Sequence, residues 1–335
     1  MREPAFWWRK PGLAAHLLAP LAALYGAVAA YRMRQPGRRA RVPVICIGNL
    51  TLGGSGKTPA AITVARMLQA QSARPVFLTR GYGGQLTGPV MVAPTHTAAD
   101  VGDEPLLLAR VAPTIVARDR VAGARAAEAA GAEIIVMDDG FQNPALSKTI
   151  SVLVIDGRRG IGNGKVFPAG PLRAPLAAQI AHAQALLVVG DAGASAQAFI
   201  AAAKARVWPP VMTGRLVPDP SALAALAGRR VLAFAGIGDP DKFFATLRGA
   251  DIAIIEARGF DDHHVFTKAE AADLIARADA AQLTLVTTEK DQARMIGSPA
   301  LATLANRTTI LPVTLALDDA GVIEPFLGGL AKGEY

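Results

Sequence analysis

The sequence predicts an α/β fold: a parallel-sheet core with helices on both faces, a second smaller α/β lobe, and a hydrophobic helix at the N-terminus. Three observations carry this reading. Short β-branched runs alternate with alanine-rich stretches of helical character. A glycine-rich loop joins the first of these runs to the first such stretch, and residues 12–30 hold no formally charged side chain. With 335 residues and 51% apolar composition, the chain can bury a substantial core.

The N-terminal element comes first. Gly12 to Ala30 (GLAAHLLAPLAALYGAVAA) approaches the roughly 20 apolar residues that cross a bilayer as a helix. His16, Pro20 and the many alanines weaken a crossing, so lying in the membrane interface stands beside it as a reading. Trp7, Trp8 and Tyr31 flank the segment as interfacial aromatics do. Arg2, Arg9 and Lys10 precede it, and Arg32, Arg34, Arg38, Arg39 and Arg41 follow it. Much of the formal net charge of +8 therefore brackets one apolar segment, which points to an anionic membrane surface rather than to nucleic acid. Aromatic residues make up only 5%, so base-stacking platforms are scarce. The heavier arginine count after the segment places the body on the cytoplasmic side.

Six runs then read as strands of the core: VPVICIG at 42–48, PVFLT at 75–79, TIVA at 114–117, EIIVMD at 133–138, SVLVID at 151–156 and ALLVVG at 185–190. A polar, proline-bearing stretch at Pro218 to Arg230 precedes a second set: VLAFAG at 231–236, IAIIEA at 252–257, LTLVTTE at 283–289 and TTILPVTL at 308–315. The expected division is 1–40 for the anchor and its basic flank, 41–225 for the core domain, and 226–335 for the smaller lobe. The lone cysteine, Cys46, lies in an apolar run, reads as a small core residue and has no partner for an internal disulfide.

The loop Thr51-Leu52-Gly53-Gly54-Ser55-Gly56-Lys57-Thr58 falls between the strand ending at Gly48 and the helix starting near Pro59. In that context it is a P-loop. Its glycines let backbone N–H groups close on phosphate oxygens, Lys57 adds a mobile charge, and the helix N-terminus adds its partial positive dipole. Thr58 offers its hydroxyl to Mg²⁺. The general pattern opens with glycine, and here Thr51 stands in that place. A motif that needs cytosolic nucleotide sets aside the competing reading of residues 1–30 as a cleaved signal peptide. EIIVMDDG at 133–140 is an apolar strand ending in paired acids, so Asp138 or Asp139 is expected to hold Mg²⁺ directly or through water. Thr288-Glu289-Lys290-Asp291 lacks the spacing of a guanine-reading motif, which leaves ATP as the nucleotide. Gly236-Ile237-Gly238 lacks the third glycine of a dinucleotide fingerprint and reads as a turn.

Several strings occur together: GNLTLGGSGKTP at 48–59, TRGYGG at 79–84, GDEP at 102–105, DDGFQ at 138–142, GPLR at 170–173, DHH at 262–264 and TTEKD at 287–291. On these the chain resembles the tetraacyldisaccharide 4'-kinase family of the lipid A pathway over nearly its whole length. The resemblance implies transfer of the ATP γ-phosphoryl group to the 4'-hydroxyl of a disaccharide-1-phosphate lipid, at the cytoplasmic face of the inner membrane. It implies a glycolipid substrate and a lipid surface as partners, with no nucleic acid and no obligate protein partner.

The resemblance also implies roles. Asp103 matches the family's catalytic aspartate, with Glu104 beside it as a metal ligand or the support of one. His263 is expected to hydrogen-bond Asp103, while His264 remains open between a structural place and contact with substrate. Between orienting the imidazole and binding substrate, Asp262 reads as the residue that orients the imidazole. Arg80 and Arg173 match arginines suited to clamping phosphates, the alternative being ordinary ion pairs. Gln142 either contacts nucleotide or caps a turn. Two departures stand out: Ala174 follows GPLR where the family commonly has glutamate, and Asp261 stands where it often has proline. A reading from another class, a membrane-associated P-loop ATPase or GTPase acting as a switch or assembly factor, needs no acceptor hydroxyl.

Overall fold

The computed structural model describes residues 3–205 and 209–331. Thirteen strands are found among them: β1 Val44–Asn49, β2 Pro75–Thr79, β3 Val90–Met91, β4 Thr114–Val116, β5 Ile134–Asp138, β6 Ile150–Asp156, β7 Ala185–Val189, β8 Val211–Pro218, β9 Arg230–Ala235, β10 Ala253–Gly259, β11 Thr284–Thr288, β12 Thr308–Leu311 and β13 Val313–Leu317. They form a nine-stranded sheet of order β13-β8-β7-β6-β1-β5-β2-β4-β3 and a four-stranded sheet of order β10-β9-β11-β12. Only β13 against β8 and β3 against β4 pair antiparallel; every other pairing is parallel. The mixed α/β fold with a large, mainly parallel sheet is as the alternating pattern predicts.

Strand side chains alternate between two cores, as a period of two requires. Val44 and Cys46 of β1, Ile135 and Met137 of β5, and Leu153 and Ile155 of β6 face one core. Ile45, Ile47, Ile134, Val136, Val152 and Val154 face the other. The small sheet is likewise packed on both faces, with Leu232 and Phe234 on one side and Val231, Ala233 and Ala235 on the other. Burial on both faces explains why these strands read as continuous apolar runs.

One predicted strand is two. TTILPVTL breaks at Pro312, so that β12 ends the small sheet and β13 returns to the edge of the large one beside β8. Leu327 and Leu330 of the last helix, Glu324–Ala331, then pack in the large sheet's core. The end of the segment read as the smaller lobe is thus built onto the large sheet.

Among the described residues no helix is long and apolar enough to cross a membrane, which removes the spanning reading of residues 12–30. The helical run is interrupted at Leu18, whose backbone stays in the right-handed helical region, between helices Leu13–Leu17 and Ala19–Met33. The 15-residue second helix is about 22 Å long, short of a hydrocarbon core of about 30 Å. Its small residues Ala22, Gly26 and Ala30, with Met33, are buried against the body. Leu24 is 65% exposed on the other side of this helix, with Leu21, Val28 and Tyr31 also exposed, and Leu13 and Leu17 of the short preceding helix are 76% and 72% exposed. Trp7 is not interfacial: it is buried, its indole Nε1 donates to the Pro168 carbonyl at 3.0 Å, and its ring meets Phe167 edge-on. Trp8 lies under the Arg159 guanidinium at 4.9 Å.

Candidate active site

Strand β1 delivers the P-loop at its C-terminal edge, and the helix Lys57–Ala70 carries it away. Gly56 caps that helix at φ +88°, a left-handed conformation that a Cβ would strain. Thr51 is at home in the first loop position, because its backbone is extended and bridges antiparallel to Leu172. There the Leu52 amide donates to the Pro171 carbonyl at 2.8 Å, and the Arg173 Nε donates to the Thr51 carbonyl at 3.0 Å. A β-branched residue suits extended backbone better than glycine.

The paired acids end β5 beside this loop. Thr58 donates its hydroxyl to Asp138 Oδ2 at 3.3 Å, and Lys57 Nζ lies 4.0 Å from Asp139 Oδ2. Arg173 grips Asp139 from the other side, with Nη1 2.9 Å from Oδ1. The two carboxyls are driven apart. Burial and the charge of Glu104 push Asp138 up to about 7, whereas for Asp139 the burial cost is outweighed by Lys57 and Arg173, which hold it below the usual range. Asp138 Oδ1 is buried with no hydrogen-bond partner. An acceptor left without a positive partner, next to a hydroxyl, is a donor set suited to a hard divalent cation. Among the described residues no three His, Cys, Asp or Glu side chains converge to hold a metal alone.

The third group of acids comes from Gly102-Asp103-Glu104. Gly102 sits at φ +91° against the Tyr82 carbonyl, a turn that only glycine makes without strain, and the helix Asp103–Ala109 begins after it. Asp103 is 3% exposed. Its Oδ2 meets the Arg294 Nε at 2.7 Å and lies 3.4 Å from His263 Nδ1, while Oδ1 accepts the Glu104 amide at 2.9 Å. Burial raises the Asp103 pKa, but the hydrogen bond from His263 and the charges of Lys290 and Arg294 overcome it and hold the carboxylate well below its usual range. Burial conversely disfavours charged His263, yet Asp103 and Asp262 raise its pKa on balance. Glu104 receives Lys290 Nζ at 2.7 Å, and Glu104 in turn feels Lys57, which places these acids at the P-loop. Gly238, in the turn after β9, lies against the Gly54 amide, so the small lobe closes over the loop.

His263, at φ +55°, is the histidine brought to Asp103, and it also packs on the Tyr82 ring at 4.9 Å. Asp262 is beside it, with Oδ2 3.9 Å from Nε2. His264 is turned elsewhere: its Nε2 meets Glu270 at 3.0 Å and its ring stacks on Phe260. Gln142 lies behind the loop, where its amide donates to the Asn49 carbonyl at 2.7 Å and to Gln179 Oε1 at 2.9 Å. Both amide protons are spent on the scaffold. Arg80 is exposed at the end of β2. Sequence reasoning missed Arg294, Lys290 as the partner of Glu104, and Gln179, which is buried and donates to the Leu50 and Ala174 carbonyls. The string TTEKD marks the neighbourhood of the first two, but nothing local shows that they reach across to residues 103 and 104.

A family model described as "Tetraacyldisaccharide-1-P 4'-kinase" matches residues 14–330. A tetraacyldisaccharide 4'-kinase of Methylobacterium sp. (strain 4-46) is 56% identical over 337 residues, covering 99% of both chains. One from Rhodopseudomonas palustris (strain BisA53) is 55% identical over 328 residues, covering 98% of this chain and 95% of the other. Among solved structures, LpxK from Aquifex aeolicus in complex with ATP superposes with a TM-score of 0.71 at 24% identity, over 95% of this chain and 99% of that one, and shares its fold. By the extent and identity of these matches, the chain belongs to the tetraacyldisaccharide-1-P 4'-kinase family.

Proposed function

We propose that the protein transfers the γ-phosphoryl group of ATP to the 4'-hydroxyl of a tetraacyldisaccharide 1-phosphate at the cytoplasmic face of the inner membrane. The observation that carries this reading is the pairing of buried Asp103 with His263 at a P-loop: a switch or a motor needs the loop, whereas transfer to an alcohol also needs a group to accept its proton. Lys57 and the amides of Gly53 to Thr58 bind the nucleotide phosphates. Arg173, tied to both Asp139 and the Thr51 carbonyl, orients the paired acids, and exposed Arg80 meets phosphate of the lipid or of ATP. Asp103 takes the hydroxyl proton, and His263 orients its carboxylate.

Mg²⁺ fits Asp138 and Thr58, with Asp139 and Glu104 beside them; when bound, it neutralises charge on the transferring phosphates. The exposed leucine stripe of residues 13–31 docks in the plane of the interface, bringing the site to a substrate that does not leave the bilayer. We divide the chain accordingly into an N-terminal docking segment at 1–40, a P-loop core from 41 to 225, and a smaller lobe from 226, the last stretch of which rejoins the core sheet.

The test is direct. Purified protein incubated with Mg-ATP and a disaccharide-1-phosphate lipid is expected to add a second phosphate to the lipid. ATP hydrolysis without labelled lipid would overturn the kinase reading and favour a switch.

A further inference from the structure

Arg294 belongs to the short helix Glu289–Met295 of the small lobe, and its side chain is only 5% exposed. Its guanidinium meets acceptors from both lobes. On one edge, Nη1 donates to Asp291 Oδ1 at 2.9 Å and to the Gly236 carbonyl at 2.6 Å. On the other, Nε lies 2.7 Å and Nη2 2.5 Å from Asp103 Oδ2. Asp291 is itself fixed, accepting from the Gly236 amide at 3.0 Å and from the Thr288 hydroxyl at 2.6 Å. A guanidinium is a rigid plane, so anchoring one edge sets the direction of the other.

One turn earlier on the same helix, Lys290 takes Glu104 rather than Asp103. The two neighbouring acids are thus addressed separately by two cations four residues apart, which share a helix face. His263 Nδ1 approaches the same Asp103 oxygen that Arg294 holds, and the Glu104 amide holds the other. The carboxylate is therefore located from three directions. The His263 contact, at 3.4 Å, is the longest of the three, so the imidazole alone does not fix it.

We infer that Arg294 is a positioning residue for phosphoryl transfer: anchored in the small lobe, it aims the Asp103 carboxylate at the reacting hydroxyl. The inference rests on the reading of Asp103 as proton acceptor. Positioning errors of about 1 Å cost on the order of a hundredfold in rate.

The experiment is a double-variant cycle in steady-state kinetics on the full chain, using Arg294→Met, Asp103→Asn and the pair. Arg294→Met is expected to lower kcat about 30-fold or more, while the KM for ATP changes less than about threefold. In the Asp103→Asn background the same change is expected to cost less than about threefold further, because the effect travels through that carboxylate. A purely structural arginine would lower the melting temperature and cost the same factor in both backgrounds, which would overturn the inference. Turnover of Arg294→Met within about twofold of the unaltered protein would overturn it too. Should the methionine variant not fold, Arg294→Lys replaces it in the cycle, keeping the charge without the fork. An unchanged kcat in that variant counts against positioning, and a loss of about tenfold or more supports it. If Asp103→Asn is impaired and Arg294 variants are not, the inference alone falls; if Asp103→Asn turns over normally, the proton-acceptor reading falls with it.

Discussion

Among single residues, Asp103 carries the largest expected kinetic effect. Asp103→Asn keeps the shape and an oxygen for the Glu104 amide but cannot accept a proton. It is expected to lower turnover by about 10² to 10⁴, with ATP affinity measured by calorimetry within about twofold, because a base acts in the transition state. Normal turnover would remove Asp103 from that role. Cys46 offers a separate check. Burial pushes its thiol up to about 11, with only partial opposition from Lys148. A thiol that ionises later in the folded chain than in the unfolded one contributes stability that is complete below about pH 8.5 and lost as pH rises toward 11. The native protein is accordingly expected not to react with a thiol-titrating disulfide at pH 8, and the alkaline fall in melting temperature should be shallower for Cys46→Ala. Rapid labelling at pH 8 without unfolding would contradict the burial. Lys57, Thr58, Asp138 and Asp139 were legible because a strand, a loop and a helix start place them locally. Arg294 was not, since the oxygen it serves is 191 residues away in sequence.

At the scale of elements, the N-terminal helix shows what composition conceals. Its mean apolar character suggests a membrane span, yet Pro20 and the break at Leu18 shorten it, and only Ala22, Gly26 and Ala30 of its small residues are buried against the body, Gly26 facing Pro175 and Val166. The bulky residues collect on the opposite face at spacings of three and four. Leu24→Asp with Val28→Asp is expected to abolish co-sedimentation with lipid vesicles, since each buried side chain lost is worth roughly 1.5 to 3 kcal/mol of insertion. Both sites are exposed in the free protein, so its melting temperature should change little. Undiminished sedimentation would show that another surface docks. The break at Pro312 teaches the same lesson for strands: eight apolar and threonine residues read as one element, and only the pairing partners show that they serve two sheets.

On the scale of the whole molecule, ion pairs tie the two lobes on either side of the P-loop. Lys290 and Arg294 reach Glu104 and Asp103 on one side; Lys242 pairs with Asp156, and Arg158 and Arg159 with Asp239, on the other. The N-terminal segment joins this frame, for Glu3 pairs with Arg159 at 2.6 Å and lies against Gly53. Deleting residues 1–33 is therefore expected to do more than detach the protein from lipid. It removes buried Trp7 and Met33 and uncovers Val166 and Pro175, so the melting temperature should fall by about 5 °C or more in differential scanning calorimetry. An unshifted transition would mean that the segment is not part of the fold.

The α/β class, the P-loop with its Lys57 and Thr58, the paired acids and the family strings are all readable from the chain, because periodicity and motif spacing are properties of neighbouring residues. Long-range packing settles which histidine meets Asp103, that the Gln142 amide donates to the Asn49 carbonyl and Gln179, that the N-terminal helix lies along the body, and that Arg294 reaches Asp103. Those outcomes depend on pairing between residues far apart along the chain, where side-chain geometry, burial and the charge of a distant partner set the result.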